Sequence, residues 1–133
     1  MNNMNNINQQ FAKAFLAGLN LEVKNNPYNP NGKIWGMWEH VYNGGIANIE
    51  FFKKEQLISF SLGMELRDEI KTISQLELCI KGFSDALDMK KQDEYIDRKS
   101  EDYLLYISSY KTGVIVINLH KQYSLQKYCD FLQ

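Results

Sequence analysis

The stretch Ile58-Ser59-Phe60-Ser61-Leu62-Gly63-Met64-Glu65-Leu66 alternates apolar with small or polar residues, and from Ser74-Gln75-Leu76-Glu77 onward the apolar spacing changes to threes and fours. Alternation by two puts one set of side chains on one face of a strand, whereas spacing by three and four lines one face of a helix. The reading is a half-buried strand from Leu57 to Leu66 followed by a helix from Gln75 to about Lys91. Ser74 and Glu77 have the spacing of a capping box, in which the two side chains satisfy backbone N–H groups at the helix start. Leu76, Ile80, Phe83 and Leu87 form the stripe of that helix, with Cys79 and Ala86 beside it. Such a helix would lie across a sheet.

Working outward, Ile34 to Tyr42 is rich in aromatic and apolar residues and predicts a strand. Asn43-Gly44-Gly45 offers the positive-φ residues of a tight hairpin, and Ile46 to Lys53 reads as the returning strand. Lys54-Glu55-Gln56 makes the turn into the alternating strand, which completes an antiparallel meander, because connections this short join neighbours. Tyr103 to Tyr110 and Val114 to His120 predict a second hairpin, turned at Lys111-Thr112-Gly113. Two more helices frame these elements. Phe11, Ala14, Phe15 and Leu19 share a stripe on a helix from Ile7 that stops near Asn20. Leu125, Tyr128, Cys129 and Leu132 share one from Ser124 to Leu132. Residues 24 to 33 carry two prolines, a glycine and four asparagines and predict a loop. Residues 1 to 6 are Asn-rich and expected to be a disordered N-terminus, leaving a single domain over 7–133. The predicted order α-βββ-α-ββ-α, with hairpins and helices segregated, defines an α+β fold on an antiparallel sheet of a three-stranded meander plus a hairpin.

Fifteen basic and sixteen acidic residues leave a net charge of −1. No more than two basic residues are adjacent, so the basic field that releases counterions from phosphate is missing and nucleic acid is disfavoured as a partner. The N-terminus lacks the basic start and apolar run of a secretory signal, and no apolar stretch has the ~18 residues of a membrane span. Cys79 and Cys129 read as small unpaired hydrophobes, which fits a reducing, cytoplasmic setting.

The residues offer little chemistry. His40 and His120 are the two histidines. Glu39 and His40, adjacent on a strand, would point to opposite faces. A dyad of His40 with His120 would need the first and last strands to be neighbours. Neither cysteine has partners at zinc spacing, and the acids from Asp93 to Asp102 lack the alternating oxygen ligands and central glycine of a calcium loop. Asn43-Gly44-Gly45 joins no helix N-terminus and so makes no phosphate cradle. The expectation is no enzyme, no metal and no cofactor, which leaves the surface. Asp85, Asp88, Asp93, Glu94, Asp97, Glu101 and Asp102 stand against four basic residues between positions 85 and 102, with Tyr95 in their midst. A mixed acidic stretch around an aromatic can steer a basic partner and then anchor it. Trp35 and Trp38 would face opposite sides of the sheet, with Trp38 the accessible one and a further candidate for partner binding.

Two resemblances follow. From Ile58 through Leu119, the alternating strand, Leu76-x6-Phe83-x3-Leu87, Leu104-Leu105-Tyr106-Ile107 and Gly113-Val114-Ile115-Val116 resemble the immunity proteins of polymorphic-toxin and contact-dependent growth inhibition systems. That resemblance covers about half the chain and implies a cytoplasmic inhibitor that binds and blocks a cognate toxin protein. The order of elements is also similar to that of single-effector type III secretion chaperones, which would imply a homodimer built on Gln75 to Lys91. A phage-encoded inhibitor of host defence fits the same features, and an enzyme would need a pocket gathering His40, His120 or Glu39. Monomer and homodimer are both compatible with the sequence.

Overall fold

The computed structural model describes residues 3–133, with side chains from Asn6 onward. The described residues form four helices and no strand: α1 (Asn3–Leu19), α2 (Lys33–Glu65), α3 (Ile73–Leu87) and α4 (Glu101–Leu132). The α+β expectation is overturned. Four of the five expected strands lie wholly within α2 and α4 and the fifth, Leu57–Leu66, does so up to its last residue; the expected turns at Asn43-Gly44-Gly45, Lys54-Glu55-Gln56 and Lys111-Thr112-Gly113 are interior to those helices. Helix α1 begins within the stretch expected to be disordered, whose positions 1 and 2 lie outside the described residues.

The alternation that suggested a strand comes from two apolar stripes on one helix. Trp38, Tyr42, Gly45 and Ile49 are buried, and Phe52, Phe60 and Met64 continue their three-and-four spacing as half-buried residues. Ile58, Leu62 and Leu66 lie four apart on a different face and are exposed. A helix turns about 100° per residue, so Ile58 and Phe60 are some 200° apart rather than on one side of a sheet.

The chain divides into two compact units, one running up to Phe52 and resuming at His120–Gln133, the other Lys53–Leu119. Each contains three helical segments, because α2 and α4 contribute to both. In the first unit, Phe11, Ala14, Trp38 and Tyr42 form the buried core, and Phe15 stacks on Tyr128 at 4.7 Å between ring centroids. Helices α1 and α2 meet through glycines. A Cβ on Gly18 would strike the Tyr42 carbonyl, and one on Gly45 would strike the Phe15 carbonyl. The residue read as a hairpin glycine is there so that two helix backbones can touch. Trp38, expected to be the accessible tryptophan, is only 4 % exposed, while Trp35 is half-buried.

In the second unit, Cys79, Phe83, Ala86, Leu87, Tyr106, Ile107 and Ile117 are buried, and the Phe60 and Phe83 rings stack at 4.0 Å. Gly82 packs on the Tyr106 carbonyl, and Gly113 packs against Ala86 and Phe83. Helix α3 starts earlier than the sequence reading placed it. Its cap is Thr72, whose hydroxyl accepts from Gln75 N at 3.1 Å, while Gln75 Oε1 accepts from Lys71 N at 2.8 Å. The N–H groups at this helix start are met by Thr72 and Gln75, not by Ser74 and Glu77, and Gln75 reaches the residue before the cap rather than the cap's own N–H.

Two helix ends share one device. After α1, Glu22 N donates to Ala17 O at 2.9 Å and Leu21 N to Gly18 O at 3.1 Å, with Leu21 at φ 54°. After α3, Lys90 N donates to Asp85 O at 2.9 Å and Met89 N to Ala86 O at 3.0 Å, with Met89 at φ 59°. Both are Schellman caps, and both place a non-glycine residue in the left-handed position.

Candidate partner-binding loop

The α3–α4 loop runs from Asp88 to Ser100 and contains most of the acidic residues singled out in the sequence. The structure divides them by occupation. Asp85, on α3, is only 9 % exposed, and its Oδ2 accepts from Lys81 Nζ at 2.9 Å and from the Tyr106 hydroxyl at 2.8 Å. Asp88 pairs with Lys53 at 2.6 Å, and Asp93 pairs with Lys81 at 3.2 Å. Glu101 and Asp102 occupy the first turn of α4, where a negative charge complements the helix dipole. Ser100 caps that helix, its hydroxyl accepting from Tyr103 N at 3.2 Å.

The charge balance of the segment changes once these pairs are counted. Residues 88–102 hold six acids and four bases, and removing Asp88 and Asp93, paired with Lys53 and Lys81 from outside the segment, leaves four of each sign. The acidic excess that would steer a basic partner is therefore absent from this loop. What remains is the aromatic residue. Tyr95 is 98 % exposed, yet the backbone that carries it is fastened at several points. Asp93 N donates to the Tyr106 hydroxyl at 2.8 Å, and Tyr95 N donates to Asp93 Oδ1 at 2.9 Å. On the far side, Lys99 N donates to Asp97 Oδ1 at 3.0 Å, and the Ser100 hydroxyl donates to the Asp97 carbonyl at 2.6 Å. The Tyr110 hydroxyl holds the Lys90 carbonyl at 2.6 Å.

The electrostatics follow from these bonds. The N–H of Tyr95 first, and Lys81 second, hold the Asp93 carboxyl below its ordinary range. Asp85 above all, then Asp93, holds the Lys81 ammonium above its own. Burial pushes the Tyr106 phenol up to about 12, with the Asp85 carboxylate adding to the rise and the Asp93 N–H opposing it. In the sequence Tyr106 stands only as one residue of the strand expected over Tyr103 to Tyr110. Its role as the buried post of this loop has no local sequence signal, because the contact joins residues 13 and 21 positions apart.

The other sequence candidates lie elsewhere. Glu39 accepts from Lys24 at 2.6 Å and Asn26 at 3.0 Å, an arrangement that ties the α1–α2 loop to α2 and lowers the Glu39 pKa, Lys24 contributing most. His40 and His120 do not share a set of partners. His120 Nε2 is 2.8 Å from Asn48 Oδ1 and 3.2 Å from Ser124 Oγ, and its ring stacks on Phe52 at 3.6 Å. This resembles a serine–base pair, but the chemistry runs the other way. Asn48 Oδ1 can only accept, so Nε2 carries the proton and has no lone pair with which to take one from Ser124. Ser124 is itself only 6 % exposed. The group is a part-buried polar clasp within the first unit.

Among the described residues, no three His, Cys, Asp or Glu side chains gather as a metal site would require. Cys79 and Cys129 are unpaired. No helix among them is long and apolar enough to cross a membrane. No family model, curated relative or solved structure matches the chain.

Proposed function

We propose that this chain is a binding protein without chemistry of its own, an immunity protein that holds and blocks a toxin domain in the cytoplasm, with Tyr95 as its anchor. One observation carries the reading: a fully exposed tyrosine sits on a loop whose backbone is pinned on both sides. Large aromatic side chains in a pocket of the partner dominate many interfaces, and a pre-ordered loop lowers the entropy lost on association. Glu94 and Asp97 flank Tyr95 in sequence, with Glu101 and Asp102 a few positions on, so they would act by local pairing at the rim rather than through a net field. Asp85 and Asp93 hold the loop through Lys81 and Tyr106, Asp88 is exposed and paired with Lys53, and Trp38 belongs to the core of the other unit. The strand pattern behind both family resemblances is absent, so the proposal stands on this loop alone.

The test is capture of the protein encoded immediately upstream by the purified chain, with the partner's toxicity as a second readout. Tyr95→Ala should weaken capture by about 30-fold or more, the level of an interface hot spot, while leaving the unfolding midpoint unchanged. A variant that binds and protects as well as the parent would remove Tyr95 from the interface.

A further inference from the structure

A groove of ≈ 800 Å³ opens in the first unit, lined by α1, the start of α2 and the end of α4. That volume is in the range of small-molecule sites, roughly 300–1,000 Å³. Its lining is apolar over most of its extent, through Ile7, Phe11, Val41 and Tyr128 among others. The basic side chains of Lys33 and His40 border it, both exposed, and no carboxylate among the described residues lines it. Glu39, the nearest acid in sequence, is engaged by Lys24 and Asn26.

Gly36 also lines the groove, on the same stretch of α2 as Lys33 and His40. Glycine inside a helix costs about 1 kcal/mol relative to alanine, and at most such positions in this chain a close backbone explains it. At Gly36 a Cβ would meet nothing within 4 Å. Gly44 and Gly63 are equally open but do not border the groove, so it is the conjunction that matters. At position 36 the missing side chain leaves the groove unfilled next to its two basic groups.

We propose that this groove binds one acyl chain that ends in a carboxylate. The chain would lie along the apolar lining, and the carboxylate would accept hydrogen bonds from Lys33 Nζ and the His40 imidazole. This site is separate from the Tyr95 loop, and its test involves no protein partner.

Dodecanoate, dodecan-1-ol and dodecyltrimethylammonium serve as probes, titrated with the full chain by calorimetry below the micellar concentrations of the two ions and the solubility limit of the alcohol. Dodecanoate should bind saturably at one per chain, at least tenfold more tightly than either of the others. Gly36→Leu should reduce dodecanoate affinity at least tenfold while the thermal midpoint stays level or rises, because the new side chain enters the groove and improves the helix. Lys33→Glu should weaken dodecanoate at least fivefold and leave dodecan-1-ol unchanged. Binding only at micellar concentration, equal affinity for the three head groups, or undiminished binding by Gly36→Leu would each overturn the proposal.

Discussion

Replacing Tyr106 by Phe removes one oxygen atom and leaves the ring that packs beside Gly82. Its consequences can be worked from three distances. The hydroxyl donates to Asp85 Oδ2 at 2.8 Å, and Asp93 N donates to it at 2.8 Å. The Asp85 carboxylate, buried and accepting also from Lys81 at 2.9 Å, would keep its ion pair and lose its neutral donor. Hydrogen bonds to charged groups contribute about 1.5–3 kcal/mol, and the Asp93 N–H, half-exposed, can turn to water at lower cost. The expected loss is therefore about 2–3 kcal/mol, or roughly 1–2 M in urea midpoint for a chain of this size. The phenol itself supplies an independent check. A rise from 10 to about 12 is worth ~3 kcal/mol. An unfolded tyrosine loses its proton above about pH 10 while the folded one keeps it, so the wild type should lose this stability as pH rises from 10 to about 12. The Phe variant should lack that component and retain the alkaline losses due to Lys81 and Tyr128, whose raised pKa values act with the same sign. Amide exchange over residues 93–100 should accelerate in the variant. Tyr110→Phe is the control: its hydroxyl reaches the exposed Lys90 carbonyl, and its loss should cost under about 1 kcal/mol. A Tyr106→Phe midpoint within about 0.5 kcal/mol of wild type, with unchanged exchange in the loop, would refute the idea that this hydroxyl is the post of the loop.

The remaining expectations concern the rest of the fold. Gly45→Ala should destabilise by about 1–3 kcal/mol, because its Cβ drives into the α1 backbone. Gly36→Ala, in open space on the same helix, should stabilise by about 1 kcal/mol; urea denaturation of the pair tests the sign difference. Leu21→Gly relieves the left-handed residue of the α1 cap and should raise stability by roughly 0.5–1 kcal/mol in the same assay. Burial lowers the His120 pKa, so an unfolded histidine takes up its proton first as the pH falls below about 6.5. Stability should be fully present above that pH and be lost as the pH falls through the folded value; an NMR titration of the His120 ring showing an ordinary or raised pKa would contradict this.

Some of this architecture is legible in the residues and some is not, and the division has a physical cause. The stripe Phe11, Ala14, Leu19 on α1 and the stripe Cys79, Phe83, Leu87 on α3 are true helical signals, since each helix buries one face and exposes the other. Helix α2 breaks that assumption: Phe60 and Met64 are half-buried while Ile58, Leu62 and Leu66 are exposed, and two stripes interleaved on one helix imitate a strand. The glycines misled for a related reason. A glycine tolerated in a turn and a glycine demanded by a helix crossing look the same in sequence, and only the Phe15 carbonyl opposite Gly45 tells them apart. Among the candidate residues, the acidic run of the 85–102 segment is plain in the sequence, but which of its carboxylates are paired is not. Counting charges treats each carboxylate as unpaired, whereas Lys53, Lys81 and Tyr106 hold three of them. The acids that suggested a charged docking face are in part the fastenings of a loop, and the residue they hold out, Tyr95, is neutral. If recognition happens here, its specificity resides in the pocket that accepts that ring. Salt should then weaken binding far less than a charge-steered encounter would require, because an apolar anchor is not screened.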